Sequence, residues 1–288
     1  MKHYIIRVCQ ILCVLALIMG IGLGIVSASH TTSAIGISAK EPTTDTTTSV
    51  PNSSNAPDMD ALSAKIETII DQSDLEVGVS AIDLQSSQQI DVGESAAFLG
   101  ASTTKVLTGA YYMHQVEQGE ASLQTIIDGS SAKELIHRML TQSDNAAWAS
   151  LNDYLGKASL QTYASQLGLS SYDSASNTIT VHDQAQLLAK LQAHKLADQD
   201  HTDTLLSFMQ HTNDETLIPA ALPTTATVYH KYGQLYGELH DSAIVTYQGQ
   251  SFVLVIFTKS DTETITDLTS RTQLFHDVTN ATIETYAE

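Results

Sequence analysis

Strand-like segments stand at both ends of the folded part of this chain, and helical periodicity fills the stretch between them. Leu75–Leu84 (LEVGVSAIDL) reads as a strand, and Gln88–Gly93 returns after a Ser-Ser turn. Strand character resumes only at Thr227–Tyr232, Ser242–Tyr247 and Phe252–Thr258, the last two flanking the hairpin signal Gln248-Gly249-Gln250. Ala61, Leu62, Ile66, Ile69 and Ile70 recur at helical spacing ahead of the first strand, and a final helix is expected over about 264–286. Between the strand groups, helices are expected over about 102–119, 131–142, 145–155, 158–167, 182–195 and 202–210. Such a pattern predicts an α+β domain. One antiparallel sheet is built from both chain ends and covered by the terminal helices, the middle helices form a second lobe, and a cleft lies between the two.

The residues before this domain have another character. Lys2 and Arg7 precede an apolar run from Val8 to Val26, followed by the small residues Val26-Ser27-Ala28, so residues 1–29 are expected to direct export. The run suits either a cleaved signal peptide or a signal anchor. Residues 30–57 hold twelve Ser or Thr between Thr31 and Ser54, with Pro42, Pro51 and Pro57, and are expected to be a disordered linker. The domain then occupies 58–288. Secretion, or tethering to the outer face of a membrane through residues 8–26, follows as the expected location.

Both cysteines, Cys9 and Cys13, lie inside the apolar run. The domain is therefore expected to use no disulfide, no thiol nucleophile and no thiolate-bound metal. Eleven histidines fall in no His-x-His or His-Glu-x-x-His arrangement, and neither metal nor cofactor is called for. A formal charge of −19, from 13 Lys+Arg against 32 Asp+Glu, repels phosphate backbones and anionic surfaces, which argues against a nucleic-acid partner. A monomer acting on a small-molecule substrate is expected.

Three short segments carry chemistry. Ser102-Thr103-Thr104-Lys105 is expected to open a helix. Ser102 would then sit among unpaired N–H groups, with Lys105 one turn away on the same face. A serine hydroxyl needs a base, and a lysine kept neutral by burial or by a second cation can serve. Ser143-Asp144-Asn145 stands between two helices, where it either caps the second or offers a hydroxyl and an amide to a substrate. Lys231-Tyr232-Gly233 lies on a late strand, either as an ordinary edge lysine before a turn glycine or as an anion-binding cation with a close backbone approach beside it. A further Ser-x-x-Lys, Ser130 to Lys133, is taken as accidental. Each segment taken alone favours the ordinary reading.

The three in this order, Ser-x-x-Lys, then Ser-Asp-Asn, then Lys-x-Gly, resemble the signature of class A β-lactamases and penicillin-binding proteins. The resemblance spans nearly all of 58–288, including a His240-Asp241-Ser242 turn. It implies a five-stranded antiparallel sheet with flanking helices beside an all-helical lobe. It also implies Ser102 as acylating nucleophile, Lys105 as its activating partner, Ser143 as proton relay and Lys231 as the residue steadying Ser143 and a substrate carboxylate. Asn145, Tyr232, Gly233 and Gln234 would line the substrate, with the N–H groups of Ser102 and Gln234 forming the oxyanion hole. The substrate would be a β-lactam or a related cell-wall peptide.

Three departures modify that picture. Tyr232 stands where the family has Thr or Ser, which disfavours binding of a penicillin carboxylate. The stretch Gly168–Val181 (GLSSYDSASNTITV) lacks the family's loop glutamate and has Asp173 as its only carboxylate, so slow deacylation is expected. The segment between Ser102 and Ser143 is short, altering a wall of the cleft. A non-catalytic binding module that keeps the β-lactamase fold is the alternative reading.

Overall fold

The computed structural model describes residues 56–287. The leader and almost the whole linker expected from the sequence lie outside the described residues. Among the described residues, no helix is long and apolar enough to cross a membrane.

In chain order the elements are α1 (Met59–Ile70), β1 (Glu76–Asp83), β2 (Gln89–Gly93), β3 (Phe98–Leu99), α2 (Lys105–Glu117), β4 (Ile126–Ile127), β5 (Ser130–Ser131), α3 (Ala132–Thr141), α4 (Asn145–Leu155) and α5 (Lys157–Gln166). They continue with β6 (Thr178–Ile179), α6 (Val181–Gln192), α7 (Gln199–Phe208), α8 (Ile218–Ala221), β7 (Thr227–Leu235), β8 (Glu238–Tyr247), β9 (Gln250–Lys259) and α9 (Leu268–Ala287). Helix α1 forms because Asp58 caps it, accepting from the Ala61 N–H at 2.9 Å. Its buried Met59, Leu62, Ile66 and Ile70 make one apolar stripe.

Five strands form one antiparallel sheet in the order β2-β1-β9-β8-β7, joining the two chain ends as the strand pattern predicts. Strand β9 is buried along Phe252–Thr258, as its central place in the sheet requires. Tyr247 pairs with Gln250 across the β8–β9 hairpin, leaving Gln248 (φ 50°) and Gly249 (φ 81°) as a two-residue turn. On one face, α1, α8 and α9 close a core around Leu62, Ile66, Phe252, Leu254, Phe275 and Val278. On the other, α6 and the helical lobe close a second core around Leu107, Leu140, Leu151, Leu188 and Phe257.

The structure corrects two local readings. His240-Asp241-Ser242 is no turn. All three are buried inside β8, and the chain reverses at Tyr236-Gly237, where Leu235 pairs with Glu238. Two of these polar residues suit the strand because they are bonded to other elements: His240 meets the Leu99 carbonyl at 2.9 Å, and Asp241 meets His230. Ser102 does not begin α2 either. It lies in a tighter turn ahead of the helix, closed by the Thr103 N–H to Gly100 O bond (3.0 Å) and the Lys105 N–H to Ser102 O bond (3.3 Å). The second Ser-x-x-Lys is ordinary: Ser130 belongs to the short strand β5 and Lys133 is exposed.

Candidate active site

The turn carrying Ser102 is held from three sides. Ala101, just before it, adopts φ 48°, a conformation that costs a side-chain-bearing residue about 1 kcal/mol or more. Asn177 keeps it there: its Nδ2 donates to the Ala101 carbonyl at 2.9 Å, and its Oδ1 accepts from the Thr104 hydroxyl at 2.7 Å. Strand β3 delivers the chain to this turn, paired with β6 and anchored to β8 through His240. Ser102 itself is half-buried and lines an open cleft of about 460 Å³ with Gln142, Ser143, Asn145, Tyr232, Gln234, Leu235 and Tyr236.

Lys105 is fully buried beneath that turn. Its Nζ donates to the Ser143 carbonyl at 2.7 Å and to Asn145 Oδ1 at 2.7 Å, and stands 3.3 Å from Ser143 Oγ. Burial pushes its pKa down to about 8 against the opposing pull of Asp144. A neutral amine has two N–H groups and one lone pair. With the two short bonds kept, that lone pair is the position facing Ser143 Oγ, so the cluster can move a proton through the second serine. Ser143 reaches this place through a left-handed backbone, φ 56°. Asp144 is the cap of α4, accepting from Ala146 and Ala147, so the capping reading of this segment holds for the aspartate while its neighbours face Lys105.

Strand β7 supplies the opposite wall. Lys231 is fully buried, and its Nζ donates to the Tyr232 carbonyl at 2.8 Å. Burial, and after it the charge of Lys105, lower its pKa to about 7. Of the two ways a lysine can be kept neutral, burial is the one that lowers Lys105, and the repulsion between the two ammonium groups falls on Lys231. The Tyr232 ring lies against the Lys231 ammonium, 4.0 Å from centroid to Nζ, and its phenol donates to Asn213 Oδ1 at 2.7 Å. Gly233 serves the protein's own packing. A Cβ there would stand 2.8 Å from Ser102 N, 3.1 Å from Ala101 Cβ and 3.2 Å from Thr103 Cγ2, so the missing side chain lets β7 press against the serine turn. Gln234 follows on the exposed edge of the cleft. The structure thus brings Ser102, Lys105, Ser143, Asn145, Lys231, Tyr232, Gly233 and Gln234 to one place.

Sequence reasoning missed the supporting residues. Asn177 carried one local signal, as an Asn in a Ser-rich loop suited to a left-handed backbone, here φ 55°. In that same loop the exposed Asp173 spends Oδ1 on the N–H groups of Ala175 (2.7 Å) and Ser176 (3.2 Å), as a turn-forming residue does. A second set, the buried His230, Asp241 and Thr212 with the partly exposed Glu215, comes from three separate segments and left no local mark.

The chain matches the family model described as the β-lactamase enzyme family over residues 61–286. Among solved structures it is similar to PBP-A, at a TM-score of 0.73 and 24% identity over 79% of this chain and 96% of that one. A PBP-A mutant was solved as an acyl-enzyme complex with penicillin G, and it matches at 0.73 and 24% over 80% of this chain and 97% of that one. A β-lactamase from Desulfarculus baarsii matches at 0.72 and 19% over 80% of this chain and 98% of that one.

Proposed function

The chain belongs to the β-lactamase enzyme family, and from that membership we propose that it is an exported serine hydrolase acylated at Ser102 by β-lactams or related cell-wall peptides. The observation that carries this reading is the convergence of a buried Lys105, depressed to about 8, with Ser143 and Asn145 beneath the Ser102 turn. Lys105, as the free amine, takes the Ser102 proton with Ser143 Oγ as the intermediate station. Ser102 Oγ then attacks the substrate carbonyl, and the proton passes to the departing nitrogen. The backbone N–H groups of Ser102 and Gln234 receive the charge on the carbonyl oxygen. Lys231, buried on β7 within reach of the Lys105 charge, holds the electrostatic balance of the site.

Release of the acyl group is slow in this reading. Gly168–Val181 contains no glutamate, and Asp173 is exposed and engaged in its own turn, so this loop brings no positioned carboxylate to activate water. The leader at 1–29 places the domain outside the cytoplasmic membrane, free or tethered. A non-catalytic module is the second reading, favoured by the Tyr232 ring lying over Lys231. A fluorescent penicillin separates the two: wild-type protein takes up covalent label and Ser102→Ala does not, whereas a binding module labels in neither form.

A further inference from the structure

His230 immediately precedes Lys231 on β7, is fully buried, and takes no part in the acylation scheme above. Its Nδ1 lies 3.0 Å from Asp241 Oδ1 on β8, and Asp241 is fully buried too. Its Nε2 lies 3.0 Å from the Thr212 hydroxyl and 3.2 Å from Glu215 Oε1, both in the segment between α7 and α8. Asp241 also accepts from the Ile218 N–H at 3.2 Å, and the His230 N–H donates to the Met209 carbonyl at 2.8 Å. Both ends of the 209–218 segment are thereby fastened to the sheet around one imidazole.

The middle of that segment reaches the other side of the cleft. The Asn213 N–H donates to the Thr141 carbonyl at 3.1 Å, and its Nδ2 donates to the Gln142 carbonyl at 3.1 Å. Gln142 is the residue before Ser143. Asn213 Oδ1 accepts the Tyr232 phenol at 2.7 Å. A continuous path therefore runs from β7 through His230 and Thr212 to Asn213, and from there to the turn that presents Ser143 to Lys105.

We propose that His230 is a positioning residue: held between Asp241 and Glu215, it fixes the 209–218 segment and so sets the place of the Ser143 turn opposite Lys231. It touches neither substrate nor the reacting atoms. Burial opposes its cationic form, but Asp241 and Glu215 outweigh that and hold its pKa up at about 9, so at neutral pH both ring nitrogens donate. Glu215 is correspondingly held below the usual carboxylate range by its bond to His230. Two carboxylates on one buried imidazolium satisfy both donors and leave little freedom for the ring to turn.

This inference rests on the proposed acylation only for its kinetic readout. His230→Ala would strand the buried Asp241 charge and endanger folding, so the test goes through its partners Thr212, which is buried, and Glu215, which is partly exposed, in the full-length protein. At Nε2, Thr212→Val removes one of the two partners and Glu215→Gln removes the charge of the other, whereas Thr212→Ser keeps the hydroxyl. Hydrogen exchange at the Asn213 amide, which is bonded to Thr141 O, reports the junction directly. The expected result is exchange at Asn213 about tenfold faster or more in Thr212→Val and Glu215→Gln, with α9 amides unchanged. Acylation by a fluorescent penicillin slows about tenfold in the same two variants, and Thr212→Ser behaves as wild type in both measurements. Unchanged exchange at Asn213, or an increase spread equally over α9, overturns the proposal. Wild type that takes no label overturns the proposed function instead, and the exchange data still decide the role of His230.

Discussion

The Lys231 ammonium lies 4.0 Å from the centroid of the ring of Tyr232, its own neighbour along β7. Successive strand residues normally point to opposite faces. Here the sheet edge lets the aromatic side chain fold over the cation, and the Tyr232 phenol is fixed by Asn213 Oδ1 at 2.7 Å. A cation under a ring face is attracted to it, by roughly 1–2 kcal/mol when partly desolvated. In the proposed function, a substrate carboxylate must displace that contact before it can meet the charge.

Tyr232→Thr is expected to uncover Lys231 and speed acylation by a carboxylate-bearing penicillin about 10- to 100-fold, the worth of one charge-assisted hydrogen bond. The methyl ester of the same penicillin should gain little. Equal gains for acid and ester would mean that the ring obstructs by bulk alone.

Acylation should rise with pH from about 6, reach half its plateau near pH 8 and level off above about pH 9. In the proposed mechanism the reacting form of Lys105 is the free amine, and with its pKa lowered to about 8 by burial that form grows in this window rather than near 10.5. Stopped-flow labelling across pH 5.5–9.5 measures it. A rate still climbing beyond pH 9 would show that Lys105 is not depressed.

Lys231→Met should abolish acylation and yet stabilise the fold, by on the order of 2–4 kcal/mol at pH 7. The sign follows from the direction of the shift. The folded-state value is about 7 and the ordinary one 10.5, so between these pH values the unfolded chain holds a proton that the folded chain does not. Wild-type stability therefore gains on the variant as pH rises from 7 to 10.5, and the advantage of Met shrinks over that window. Urea unfolding at pH 7 and pH 10 reads both effects.

Gly233→Ala places a methyl 2.8 Å from Ser102 N and forces β7 and the serine turn apart. A loss of about 1–3 kcal/mol in stability should accompany a larger loss of acylation, tenfold or more, because the displaced group carries the nucleophile. A variant that loses stability but keeps its acylation rate would show that the turn tolerates the shift.

The sheet was legible because its strands alternate or run apolar over five to ten residues, and the hairpin at Gln248-Gly249 carries its own turn chemistry. The order of Ser102, Ser143 and Lys231 along the chain was equally visible, since each belongs to a short contiguous motif. Less visible were the residues that hold these groups. His230, Asp241, Thr212 and Glu215 meet only after the sheet has formed, and a polar His-Asp-Ser run reads as a turn until its partners are known. The two-residue strands β3 and β6 are too short to show a period, and their pairing depends on the loop around Asn177 docking beside Ser102. The short helix α8 likewise exists by contact with β8 and α9 rather than by its own propensity.

The most direct test of the account is intact-mass analysis of the full-length protein after brief exposure to excess penicillin G, with the free drug then removed and the adduct followed over hours. The predicted result is one penicilloyl group per chain, mapped to Ser102 and still present after hours at pH 7, because in the proposed function the loop 168–181 lacks a glutamate and its Asp173 is engaged in its own turn. Complete loss of the adduct within seconds, with penicilloic acid released, would contradict slow deacylation. Absence of any adduct would contradict acylation of Ser102 itself.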